Sequence, residues 1–399
     1  MINIAIMGYG VVGSGVYEIA DKNTDGIEKR SGKKVCVKRI LDLREFNDHP
    51  RKEIFTKNFE DILNDDEISI VVETMGGTKP AYEFTKKLLL SGKSVVTSNK
   101  ELVAVHGTEL LDIAKQKDVN YMFEASVGGG IPIIRPLHEC LAANEVIEIF
   151  GILNGTTNYI LTKMIKDSST FEDALKKAQE KGYAEKNPAA DVEGHDAARK
   201  ICILSSLAFG KAVDVSRVHT EGITNVSLDD VAAAEKFGYV IKLIGYTKRM
   251  GEHVLCRVSP MLIPEISPLS GVDGVFNAIM VRGDAIGDVM FYGPGAGKLP
   301  TASAVMGDVI DIVRGSKNKN YVWTKSEDDY VLDYKQAPIK LFVRTKEPCR
   351  AKAGKIFEGA EFIDGCDKCF ITNEEKEEIL DKKLNGAGIE KISCIRVMA

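Results

Sequence analysis

No apolar run in this sequence approaches the roughly 18 residues that a membrane-spanning helix requires. The opening residues, Met1-Ile2-Asn3-Ile4-Ala5-Ile6-Met7-Gly8, hold neither a basic stretch nor a small-residue cleavage site, so no secretory signal is expected. Lysine and arginine, 53 in all, are nowhere blocked into a tail, and the net charge is −5. That balance argues against a protein that grips nucleic acid through a basic surface. Cysteine is sparse, with eight residues in 399 and no dense framework spacing. Reduced thiols in a soluble cytoplasmic protein are the expectation. Internal repeats and low-complexity segments are lacking as well.

What is present is a globular composition. The 399 residues suggest two or three domains, and 44% hydrophobic content can bury a core without disulfides or a structural metal. Short β-rich runs at 2–7, 35–42, 68–74, 94–97 and 121–124 alternate with helical stretches at 11–21, 59–63, 80–90 and 101–117. The run 68–74 is almost unbroken in its apolarity, as in a sheet covered on both faces. Such alternation implies a parallel sheet with right-handed crossovers, an α/β doubly wound domain over about 1–130. A helix at 301–314 would return to it, completing the domain at about 301–320.

After Gly128-Gly129-Gly130 the pattern changes. Helices are expected at 132–143, 156–166, 171–181 and 191–209, strands at 146–153, 239–248 and 253–261, and a glycine-rich stretch at 271–297. This describes an α+β domain over 131–300. From 336 a small α+β module follows, with strands at 339–345, 361–364, 368–372 and 392–397 and one helix at 374–384. Residues 346–359 look too short and glycine-broken for another.

Gly8-Tyr9-Gly10-Val11-Val12-Gly13 follows the first strand and opens the first helix. Glycines there allow a tight turn and close approach of a pyrophosphate, which the helix N-terminus stabilises. Within this alternation the motif points to a Rossmann dinucleotide site. At the ribose end Asp42 would suit the 2′-hydroxyl of NAD, whereas Arg44, with Arg39 and Arg51 near, would suit the 2′-phosphate of NADP. Both cofactors stay open, with NADP slightly favoured.

Lys100 in Val96-Thr97-Ser98-Asn99-Lys100 lies just past a strand's carboxyl end, where such sheets bind ligands. In the block 182–200, Asp196 and Lys200 are four apart and share one helix face, while Glu185 and Asp191 sit in the loop before it. A helix cap with a surface ion pair would explain Asp191, Asp196 and Lys200 just as simply. However, the same face leads into the apolar run 201–207. Buried charges need partners, and a small amino-acid-like substrate would supply them.

These residues carry a resemblance. The nucleotide loop, 96–100, Phe123-Glu124-Ala125-Ser126-Val127-Gly128-Gly129-Gly130-Ile131-Pro132, Gly151-Ile152-Leu153-Asn154-Gly155-Thr156-Thr157-Asn158-Tyr159, 182–200 and Gly293-Pro294-Gly295-Ala296-Gly297 occur in the order of the homoserine dehydrogenases. Residues 1–320 resemble that family. The resemblance implies reversible hydride transfer between L-homoserine and L-aspartate 4-semialdehyde on NAD or NADP, in threonine and methionine biosynthesis. It implies Lys200 as acid/base, Lys100 as its partner on the reacting oxygen and as a cofactor and substrate contact, and Asp191 as an assisting acid. Glu185 and Asp196 match substrate contacts. Gly8, Gly10, Val11, Val12, Gly13, Arg44, Thr74, Gly182 and Gly297 match the cofactor site, although Gly182 could equally end a helix and Gly297 make a turn. A monovalent cation, usually sodium, would be held by backbone oxygens of Glu124, Val127, Gly129 and Ile131. A homodimer is implied too, through the sheet of the second domain. Longer members carry an ACT module, of which 336–399 resembles a shortened form.

Cys366-Asp367-Lys368-Cys369, with Cys349 and Cys394, raises zinc or redox chemistry, but one Cys-x-x-Cys without a second pair favours plain thiols. Two rival functions remain. A nucleotide sensor would need the glycine loop yet not Lys100, Glu185, Asp191, Asp196 and Lys200 together. A dehydrogenase for another amino acid would lack the 182–200 block.

Overall fold

Four consecutive residues of the first strand, Ile4 to Met7, are fully buried, because helices cover both faces of the sheet they enter. In a computed structural model of the chain, which describes residues 1–315 and 321–398, that strand is β1 (Ile2–Met7). It is followed by β2 (Val35–Leu41), β3 (Phe55–Thr56), β4 (Ile68–Glu73), β5 (Ser94–Thr97) and β6 (Tyr121–Met122). Every pairing is parallel, in the order β3-β2-β1-β4-β5-β6. The doubly wound expectation holds. The order reverses between β1 and β4, and at such a switch point the loops leaving the strands part to form a crevice.

The chain divides into two units. The first comprises 1–144, 202–215 and 293–326. Helix Lys298–Val313 returns to this unit against helix Val11–Lys22. A Cβ on Gly15 would lie 2.8 Å from the Lys298 carbonyl oxygen, so the close crossing requires glycine there. The final residues of the expected returning segment, 316–320, lie outside the described residues.

The second unit comprises 145–201, 216–292 and 327–399. Its strands are β7 (Val146–Ile152), β8 (His219–Thr220), β9 (Tyr239–Met250), β10 (His253–Pro264), β11 (Phe276–Gly283), β12 (Gly287–Pro294), β13 (Pro338–Thr345), β14 (Cys369–Ile371), β15 (Glu375–Lys376) and β16 (Lys391–Val397). Eight of them form the path β12-β11-β7-β9-β10-β16-β13-β14. The β9–β10 hairpin pairs from Met250↔His253 to Tyr239↔Pro264. One sheet face collects Phe150, Ile152, Tyr246, Leu255, Met261 and Ile263 into a core with Ala337 and Met398. On the other face helix His195–Phe209 comes close at Gly245, where a Cβ would stand 3.2 Å from Ile201 Cβ.

Several expected elements differ. The helix expected at 132–143 shrinks to one wide turn, Pro136–Cys140. The carboxylate of Glu124 takes the amides of Ile133, Ile134 and Arg135, which fixes the chain before the turn. The helix expected at 191–209 is broken into Ala189–Val192 and His195–Phe209 by Gly194, at φ +86°. The stretch 271–297 contains β11 and β12. Helices Thr24–Ser31 and Leu228–Lys236 were not expected. In the last module the strand expected at 361–364 reduces to the single bridge Glu361↔Ile371. The helix thought unfavourable there does form, as Arg350–Ile356: Ala353 is fully buried in the module's core with Leu341, Phe370 and Leu380, and this packing overrides weak propensity. Among the described residues no helix is long and apolar enough to cross a membrane.

Candidate active site

In the first unit the chain leaves β1 at Gly8 with φ +93°, a backbone conformation that glycine tolerates best. At Gly13 a Cβ would fall 1.9 Å from the Gly8 carbonyl oxygen, so the helix can start against the loop only with glycine there. Gly10 is different: no atom lies within 4 Å of its would-be Cβ, and that face is open. Thr74 Oγ1 donates to the carbonyls of Gly8 (2.8 Å) and Met7 (3.2 Å), clamping the loop. Helix Val11–Lys22 has no side-chain cap. The amides opening it, from Val11, Val12 and Gly13, have no partner within the helix, an arrangement that suits an anion.

Gly8, Gly10, Asp42, Arg44 and Thr74 border a cavity of about 620 Å³, together with Lys57 and Lys79, which sequence reading missed. Asp42 is heavily committed. Its oxygens accept Tyr9 N (2.7 Å) and Arg44 N, Nε and Nη2 (2.8 to 3.0 Å). The Arg44 hydrogen bonds hold its carboxyl at about 2. Arg39 and Arg51 bond the carbonyls of Glu53 and Val37 and do not border this cavity.

Lys100 begins helix Lys100–Gln116, just beyond the carboxyl end of β5. Asn99 caps that helix by accepting Leu102 N (3.0 Å) and anchors to the Gly77 carbonyl (2.6 Å). At the end of β4 the buried Glu73 accepts from Met75 N (2.8 Å) and Thr97 Oγ1 (2.5 Å), and burial pushes its carboxyl up. An acid closing an otherwise apolar strand was the available signal for it.

The second unit gathers three of the expected residues. Asp196 and Lys200 are 5% and 7% exposed, so their helix face does turn inward. Lys200 Nζ pairs with Asp196 at 2.9 Å and donates to the Leu153 carbonyl at 2.7 Å. Asn154, not singled out from the sequence, ties the group together. Its amide nitrogen donates to Asp191 (2.7 Å) and to Asp196 (2.9 Å), while its oxygen caps helix Gly155–Asp167 through Thr157 N. An asparagine between a strand and a helix reads as a cap, and that signal concealed its second task. Glu185 is exposed in the preceding loop, and among the described residues its side chain makes no hydrogen bond to this group. The arrangement is a buried ammonium aligned by a carboxylate, which is suited to holding or moving a proton at Nζ.

Gly182 has φ +74° and its amide bonds the Gln179 carbonyl, so it does end helix Phe171–Glu180. Gly297, at φ +121°, precedes helix Lys298–Val313. Around the expected cation ligands, Gly129 has φ +58°, and a Cβ on Gly128 would lie 2.4 Å from the Ile131 carbonyl oxygen. A glycine-lined cradle at a backbone oxygen fits an ion held by carbonyls. The Glu124 side chain is spent on three amides, so a cation there would be left with its carbonyl. In the C-terminal module no group of three or more His, Cys, Asp or Glu among the described residues could hold a metal. Burial pushes the thiols of Cys369 and Cys394 up to about 12, and so suppresses the reactive thiolate form.

Comparisons with known proteins decide the family. Residues 8–124 match the NAD-binding domain of homoserine dehydrogenase, and 132–310 match the homoserine dehydrogenase domain itself. The chain is 43% identical to the homoserine dehydrogenase of Bacillus subtilis over 320 residues, 79% of this chain and 74% of that one. This chain belongs to the homoserine dehydrogenase family. It is thus an NAD(P)-dependent oxidoreductase. Its similarity to the Neisseria gonorrhoeae homoserine dehydrogenase is 44% over 78% of this chain and 72% of the relative. The crystal structure of a homoserine dehydrogenase from Thiobacillus denitrificans superposes with a TM-score of 0.88 at 36% identity, covering 100% of this chain and 98% of that one. A hyperthermophilic archaeal homoserine dehydrogenase in complex with NADPH matches with a TM-score of 0.66 at 28% identity, over 78% of this chain and 97% of that one.

Proposed function

We propose that this homoserine dehydrogenase interconverts L-homoserine and L-aspartate 4-semialdehyde with Lys200 as the acid/base. The Asn154–Asp191–Asp196–Lys200 network, buried except at Asp191, carries this reading, because it fixes one ammonium in a defined direction. In homoserine oxidation Lys200, entering as the neutral amine, takes the hydroxyl proton as hydride leaves the same carbon. In the reverse direction the ammonium returns that proton. Bound NADP supplies the hydride acceptor. Asp196 and Glu185 bind the substrate, Asp191 assists near the ammonium, and Lys100 contacts the reacting oxygen and the cofactor. Gly182 and Gly297 complete the cofactor contacts.

NADP is the preferred cofactor in this reading. Both oxygens of Asp42 are occupied by Tyr9 N–H and by Arg44, and Arg44 and Lys57 supply positive charge at the same cavity. Sodium would be held by carbonyls of Glu124, Val127, Gly129 and Ile131. The protein acts as a homodimer joined through the sheet of its second unit, and residues 336–399 form a shortened ACT-like module. The β13–helix–β14–β15–helix–β16 order supports the last point.

Two assays test the reading. Homoserine-dependent formation of reduced cofactor should vanish in Lys200→Ala while fluorescence titration shows unchanged NADP binding. Arg44→Ala should raise the KM for NADP at least tenfold and leave that for NAD within twofold. Unchanged turnover in the first variant removes Lys200 from its role, and equal changes in the second remove Arg44 from cofactor choice.

A further inference from the structure

Among the described residues Arg257, on β10, is the largest enclosed side chain, with 1% of its surface exposed. A guanidinium carries five N–H donors and a full charge. Among the described residues, however, its side chain makes no ion pair, and Nε and Nη1 meet no acceptor. Its nearest charge-directed contact is the face of Tyr246, 5.1 Å from the guanidinium carbon to the ring centre. The carboxylates of Glu377 and Glu221, both already bound to Arg396, attract it without pairing with it. Burying an unpaired charge is strongly unfavourable. The strain is visible in its acidity: burial, and then the like charge of Arg396, bring the guanidinium down to about 10.

Arg257 borders a cavity of about 150 Å³ between the central strands and β13, room for about five waters at ~30 Å³ each. The other charges at its wall are already engaged. Glu148 accepts from Tyr246 Oη (2.7 Å) and pairs with Arg282 and Lys248, Arg282 also binds Asp288, and Lys340 binds Glu361. Glu374 stands at the exposed edge. The remaining wall is apolar, supplied by Phe150, Met261, Ile339 and Val397.

We infer that this cavity is a binding site for a small aliphatic monocarboxylate, whose carboxylate pairs with the Arg257 guanidinium at the cavity wall and whose short hydrocarbon chain lies against Met261 and Val397. A single negative charge matches the single uncommitted guanidinium. A dianion such as phosphate would meet the carboxylates of Glu148 and Glu374 at the same wall. The volume limits the chain to about three or four carbons. None of the residues assigned to hydride transfer lines this cavity, so the inference stands whether or not those assignments hold.

Sodium propionate is the probe. In the full protein, saturation of methyl protons at Met261 and Val397 should transfer to propionate, and propionate should raise the melting temperature above that in equimolar sodium chloride. Arg257→Met, of similar bulk, should lose both effects and melt higher than the unliganded parent, because the uncompensated charge is gone. Arg257→Lys should keep a weakened propionate shift. No transfer and no shift at 100 mM propionate would overturn the inference. So would a change of Arg257→Met from dimer to monomer on sizing, which would assign the missing acceptor to a second copy of the chain. An equal response to phosphate would overturn the monocarboxylate specificity.

Discussion

Asn154 does two things at once, and substitutions can separate them. Its oxygen caps helix Gly155–Asp167 at 2.9 Å from Thr157 N, and its amide nitrogen reaches Asp191 and Asp196. A lost cap of this kind costs ~1 kcal/mol. Hydrogen bonds to charged groups contribute ~1.5–3 kcal/mol each where both partners are buried. Asp191 is only partly buried and Asp196 keeps Lys200, so ~2 kcal/mol for the two together is the working figure. Asn154→Ala should then destabilise by about 3 kcal/mol in urea unfolding, and Asn154→Ser, which keeps the cap, by about 2 kcal/mol. Turnover with homoserine should fall at least tenfold in both, since Asp196 would no longer be held in line with Lys200. Asn154→Asp keeps the cap but sets a third carboxylate beside two others. Its introduced group is held above an ordinary carboxylate range, so its deficit should be smallest below about pH 4 and grow as pH rises. Parental stability and rate in Asn154→Ser would refute the bridging role and leave only the cap.

Further expectations follow from the same geometry. Gly13→Ala places a methyl group 1.9 Å from the Gly8 carbonyl oxygen and should lower the melting temperature, whereas Gly10→Ala should melt like the parent yet bind cofactor at least tenfold more weakly; calorimetry and fluorescence titration distinguish them. Burial raises the Glu221 carboxyl, but bonds from His219 and Arg396 outweigh that and bring it down to about 2. Its stabilising effect is therefore complete above the unfolded value of about 4.3 and is lost as pH falls toward 2. Glu221→Gln should flatten that part of the pH–melting curve, and an unchanged curve would count against the ion pair. Lys200→Ala should lower kcat by about 10²–10⁴, the usual range for removing a general acid/base, in steady-state assays with saturating cofactor.

Five of the six strands of the first sheet were readable because they are short, largely apolar runs flanked by a turn or a helix, as parallel strands covered on both faces must be. In contrast β3, two residues at the edge beside β2, was not expected. The second unit was harder. β11 and β12 carry glycines at 283, 287 and 293 that hide the strand pattern, although β11 pairs with β7 in register from Ala278↔Ile152 to Arg282↔Glu148. Helix Leu228–Lys236 had an available signal in its Ser227/Asp230 capping box. For the site, the Asp196–Lys200 pair was legible because four residues make one helical turn. The Asn154–Asp191 bond joins residues 37 apart, and no local rule connects them. Lys57 and Lys79 meet Arg44 at one cavity only after the chain has folded.

β16 is laid between β10 and β13, with Met261↔Arg396 and Leu262↔Val397 in parallel register, and Arg396 binds both Glu221 and Glu377. A seam in the middle of the sheet is thus closed by a strand that is synthesised after both of its neighbours. Until then β13 and the Met261–Leu262 stretch of β10 show open edges, which are templates for pairing with other nascent chains. Chaperone demand during synthesis should consequently peak between the emergence of β13 and that of β16, and stalling a few codons before residue 391 should leave a far more aggregation-prone product than stalling before 336.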